Sequence, residues 1–134
     1  MRSSAIFAQI VGSRWLRAAG AACIVLIIAL SLIPGRWQER TFLPGPMEHV
    51  VAYFGTAAIL VMGMRSFRPG VCVGLIAGLS AFSGLMELLQ NFSPGRDPQL
   101  IDFAASSLGA VCGAVTAYLI RIWLRWAAEP PASA

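Results

Sequence analysis

Long charge-free apolar runs alternate with short polar segments along the chain. Ala18 to Ile33 carries no charge and stops at Pro34-Gly35, a pair that ends helices. The second run spans Met47 to Met64, with Glu48 and His49 in its first turn. Pro44-Gly45-Pro46 ahead of it suits a loop feeding into a helix. The third run extends from Gly70 to about Gln90 and the fourth from about Gln99 to Trp123. Each comes close to the roughly 20 residues that cross a bilayer. None shows sustained alternation, and all are far longer than barrel strands. The pattern predicts an all-α integral membrane bundle of four transmembrane helices.

The polar segments set the boundaries. Residues 1–17 form a basic lead with Arg2, Arg14 and Arg17, residues 18–126 hold the four-helix domain, and residues 127–134 form a tail expected to be disordered. A lead of that length, with no small-residue motif closing the apolar run, favours a retained first span over a cleaved signal peptide. Arg121, Trp123, Arg125 and Trp126 read as an interfacial anchor at the end of the fourth span.

Composition agrees: 57% of residues are hydrophobic and 12% charged, where soluble domains carry about 25% charged residues. The net charge of +4 is no nucleic-acid footprint, because all ten basic residues are arginines placed between or beside the apolar runs. Lipid headgroups and the translocation machinery are the partners this predicts. Arg2, Arg14, Arg17, Arg65, Arg68, Arg121 and Arg125 fall on one side of the bundle, against Arg36, Arg40 and Arg96 on the other. Basic residues favour the cytoplasm, so both termini are predicted to be cytoplasmic. Glu48, His49, Glu87, Gln90, Arg96 and Asp102 then share the outer face of a bacterial inner membrane. Cys23, Cys72 and Cys112 lie inside apolar runs without paired spacing and are expected to pack between helices.

Small residues recur at helical spacing: Gly70, Gly74 and Gly78 on the third span, Gly109 and Gly113 on the fourth. They are expected to let helices approach closely in lipid, and they would permit a homodimer. Ser106 and the two glycines of the fourth span continue the face that starts at Asp102. Ser83 precedes Glu87 by a turn, and Tyr53 follows His49 by a turn. The first span carries no such stripe and is expected only to pack.

Two carboxylates, an amide, a histidine and a guanidinium thus meet at one rim. An anion at a helix C-terminus is disfavoured by the dipole, so Glu87 needs a partner, and Arg96 is the obvious one. The catalytic candidates are His49, Glu87 and Asp102; the ligand-binding candidates are Arg96, Gln90, Tyr53 and Ser106. Arg96 and His49 suit a phosphate or carboxylate. His49, Glu87 and Asp102 could ligate a metal but carry no local ligand motif, so no metal and no cofactor are expected. A Ser106–His49–acid nucleophile lacks an oxyanion-hole signature.

At these residues the chain resembles the VanZ-like family of small bacterial membrane proteins. The match rests on His49 and Tyr53, Glu87 and Gln90, Pro94-Gly95-Arg96, Asp102, Gly109 and Gly113, over residues 45–115. It departs at Gly45-Pro46, where the family commonly has an Asp-Lys pair, and at Ser106, where it commonly has asparagine. The resemblance implies a multi-span envelope protein, with one member linked to teicoplanin resistance and no settled activity. The leading expectation is a protein that binds or modifies an anionic lipid or lipid-linked cell-envelope intermediate. The alternatives are a small transporter and a non-catalytic accessory protein.

Overall fold

The computed structural model describes residues 11–34, 37, 43–65 and 68–128. They form α1 (Arg14–Leu32), α2 (Gly45–Gly63), α3 (Pro69–Gln90) and α4 (Leu100–Ala128), with no strand among the described residues. All four helices are long and apolar enough to cross a membrane. The chain is an all-α, multi-pass membrane protein. Most of the basic lead and most of the tail expected to be disordered, residues 1–10 and 129–134, lie outside the described residues.

Local chemistry sets the helix ends. The Ser13 hydroxyl accepts the Leu16 N–H at 3.3 Å, so α1 starts at Arg14, ahead of the charge-free run. Prolines stand in the first turns of α2 and α3, where a missing N–H costs nothing. Between α3 and α4 the chain bends through Gly95, whose φ of 77° is readily adopted only by glycine. The helices alternate in direction. Gly12, just before α1, donates its N–H to the carbonyl of Met62, near the end of α2, at 2.8 Å.

The most extensive helix pair is α2 with α4, and glycine makes it so. A Cβ at Gly109 would run into the Val50 backbone, and one at Gly113 into the Phe54 backbone. Around this contact Ala57, Val61, Ala110, Ala114 and Ala117 are buried. Small residues dominate because lipid offers no hydrophobic drive between helices, so close backbone approach must supply the attraction. By contrast, nothing lies within 4 Å of a Cβ placed on Gly70, Gly74 or Gly78. These three glycines therefore mediate no packing among the described residues, contrary to the spacing argument; Gly84 of the same helix instead faces the Phe103 ring of α4.

Two further expectations need correction. Only Cys72 of the three cysteines is fully buried, and Cys112 is exposed on the outside of α4. Arg121 is no surface anchor: it is 4% exposed, and its Nη1 donates to the carbonyl of Val61 at the end of α2. That carbonyl sits in the last turn and also accepts the Met64 N–H at 3.3 Å, so the guanidinium adds a second, charged donor to it. Trp123 and Trp126 are exposed, as an interfacial pair would be.

Gly113→Ala is expected to lower the thermal midpoint in detergent by the equivalent of about 1–3 kcal/mol, the cost of forcing packed backbones apart. Gly74→Ala, into open space, is expected to be neutral or slightly stabilising, since alanine is the better helix former by about 1 kcal/mol. Equal effects at the two positions would contradict the α2–α4 contact.

Candidate functional site

The polar residues singled out in the sequence converge at the end of the bundle where α2 and α4 begin and α3 ends. His49 lies in the first turns of α2, Asp102 and Ser106 on successive turns of α4, and Glu87 and Gln90 in the last turn of α3. The His49 Nδ1 is 3.2 Å from the Ser106 hydroxyl oxygen. On the other side of the ring, Nε2 is 3.7 Å from Asp102 Oδ2, too far for a hydrogen bond but close enough for attraction between charges. Glu87 is 8% exposed, and its Oε2 accepts the backbone N–H of Gln99 at 3.1 Å. One ligand atom from each of His49, Glu87 and Asp102 lies within 4.8 Å of the others. Below them Tyr53 is buried beside Ser83, Ser106 and Glu87.

Arg96 is placed differently from the expectation. Its Nε donates to the carbonyl of Ile33 at 3.1 Å and its Nη2 to the carbonyl of Leu30, while the Ser93 hydroxyl donates to the carbonyl of Leu32 at 3.1 Å. The α3–α4 turn thus clasps the C-terminus of α1. The physical reason is the shortage of donors there. The last carbonyls of any helix lack intrahelical partners, and Pro34 brings no N–H of its own. Bare carbonyls attract the guanidinium fork more cheaply than Glu87, which already has a backbone donor.

The clasp closes one side of a cavity of about 350 Å³. Ile27, Leu30 and Ser31 of α1, Ile33 just after it and Trp37 form a mostly apolar wall. Glu48, His49, Ala52, Tyr53, Gln90 and Arg96 form the opposite wall. The first helix is therefore part of the site and not mere packing. α1 contributes aliphatic residues and no polar stripe; Ser31, a turn after Ile27 near the end of the span, is the one polar side chain in the sequence that hints at this role. Glu48, in the first turn of α2, also faces the cavity.

Four of the candidate residues, His49, Tyr53, Gln90 and Arg96, line this space. Glu87, Asp102 and Ser106 do not line it. Ser106, His49 and Asp102 form a hydroxyl–imidazole–carboxylate row, but Ser106 is 0% exposed. A nucleophile must reach its substrate, so this hydroxyl orients the ring instead. Comparison with known proteins finds no matching family model, no matching curated protein and no matching solved structure.

Arg96→Ala is expected to lower the thermal midpoint by the equivalent of about 0.5–1.5 kcal/mol, since it removes two hydrogen bonds from carbonyls at the end of α1. Arg96→Lys should recover only part of this, because an ammonium cannot span two carbonyls as the planar fork does. A midpoint unchanged by Arg96→Ala would show that the clasp contributes no stability.

Proposed function

We propose that this is a VanZ-like membrane protein of the bacterial inner membrane that binds the headgroup of an anionic lipid or lipid-linked envelope intermediate. The observation that carries the reading is the cavity, whose walls change from aliphatic on α1 to histidine, amide and guanidinium on α2, α3 and the α3–α4 turn. Such a change matches an amphiphile. A volume near 350 Å³ is at the lower end of ligand pockets. It suits a headgroup, with acyl chains lying outside along the apolar helix surfaces, where Leu30, Ile33 and Val51 are exposed. His49 and Arg96 supply positive or donor character for a phosphate, and Gln90 a hydrogen-bonding amide. The arginine bias of the connecting segments supports an outward-facing site with both termini in the cytoplasm.

The resemblance adds support of its own kind. His49 and Tyr53, Glu87 and Gln90, Pro94-Gly95-Arg96 and Asp102 carry it, and all of them sit at this one end. Transport is the weaker reading. Coupled transporters place ionisable groups near the middle of their spans, and the His49, Glu87 and Asp102 cluster lies near helix ends.

Native mass spectrometry of the detergent-purified protein tests the proposal. The wild type and the Gly74→Ala control should retain a phosphate-bearing lipid that Ala52→Phe, which fills the cavity, and His49→Ala both lose while remaining folded. Equal retention by all four proteins, or no selective lipid on any, would sink the headgroup reading and favour an accessory role.

A further inference from the structure

We propose that His49, Glu87 and Asp102 bind one divalent transition-metal ion of the zinc or manganese kind. The three residues come from three different helices, which is why no local ligand motif announces them in the sequence. Their ligand atoms converge to within 4.8 Å of one another, and the His49 Nε2 to Asp102 Oδ2 distance is 3.7 Å. Two ligands of one tetrahedral zinc ion stand about 3.4 Å apart. The Nε2–Oδ2 pair is thus nearly at ligand spacing, and side-chain shifts of about 1 Å would bring in Glu87.

Three independent features point to a cation at this place. The first is charge. Two carboxylates face one imidazole, Glu87 is buried, and Asp102 Oδ1 is a buried oxygen with no hydrogen-bond partner. Arg96, the expected neutraliser, spends Nε and Nη2 on α1 carbonyls. A divalent ion would balance both carboxylates and occupy the unsatisfied oxygen, where burial makes uncompensated charge costly.

The second is the histidine tautomer. The Ser106 oxygen beside Nδ1 can accept its proton, which leaves the Nε2 lone pair directed towards Asp102. Metal-binding histidines are oriented in this way by a partner on the other nitrogen.

The third is the donor set itself. One imidazole with two carboxylates is mixed nitrogen and oxygen, which suits zinc or manganese better than the all-oxygen preference of calcium or magnesium. Three protein ligands also leave a coordination position open, and His49 is shared with the wall of the cavity. The inference does not need the lipid reading; with Nδ1–H on Ser106 and Nε2 on the ion, the ion and not the imidazole would face any headgroup phosphate.

The full chain, free of any affinity tag and stripped with chelator, would be dialysed against Zn²⁺ or Mn²⁺ in detergent, followed by elemental analysis and thermal unfolding. About one ion per chain and a raised thermal midpoint are expected. Glu87→Gln and Asp102→Asn should abolish both. Ser106→Ala, which removes only the orienting hydroxyl, should weaken metal affinity roughly 10-fold or more. Helical circular dichroism and gel filtration establish that each variant is folded, and the wild-type measurement stands even if a carboxylate variant is not. No stoichiometric Zn²⁺ or Mn²⁺ on the wild type would overturn the proposal. So would undiminished binding in folded Glu87→Gln and Asp102→Asn, or a preference for Mg²⁺ or Ca²⁺.

Discussion

The backbones of α2 and α4 touch where Gly109 and Gly113 meet Val50 and Phe54, and everything at the polar end follows from that contact. His49 sits just before Val50, and Ser106 and Asp102 just before Gly109. Pressing the two glycines against α2 therefore fixes the register that puts Ser106 on one ring nitrogen of His49 and Asp102 near the other. Larger residues at either glycine would hold the helices a side chain apart. The imidazole would then have no hydroxyl to orient it. Helix packing in lipid rests on short-range contact between small surfaces, so the geometry of the cluster is as firm as that contact and no firmer.

A second constraint is the hunger of helix ends for donors where water is scarce. Two arginines answer it at opposite ends of the bundle. Arg121, buried in α4, reaches the Val61 carbonyl at the end of α2, and Arg96 reaches the Leu30 and Ile33 carbonyls at the end of α1. Each cation meets the negative end of a helix dipole, where it is favoured. Removing Arg96 from the acid cluster has a chemical result as well. Glu87 and Asp102 are left to a backbone amide and an imidazole, with Arg96 acting on Glu87 only from a distance.

Much of this was legible in the chain. Four apolar runs gave four helices, with Pro44-Gly45-Pro46 marking the start of α2, while α1 begins at Arg14, ahead of its apolar run, because Ser13 caps it. The convergence of His49, Glu87 and Asp102 could be foreseen because alternating helix directions send all three to one end. What could not be foreseen was which surface each residue would meet. Gly70, Gly74 and Gly78 have the same spacing as a packing face yet look into open space, because α4 docks on α2 and turns its small face there. The role of α1 was hidden for a similar reason. A wall of aliphatic side chains is indistinguishable from lipid-facing surface until the opposite wall is known.

The clasp on α1 has a consequence for how this protein can vary. Arg96 and Ser93 grip main-chain oxygens, and every amino acid supplies one of those. Residues 30, 32 and 33 can therefore drift among apolar types without loosening the grip. Among relatives diverging over time, position 96 would stay fixed while its partners wandered, with no correlated change to betray the pairing. A mutational scan along α1 would likewise pass over the junction silently, and only the arginine's side of it would register.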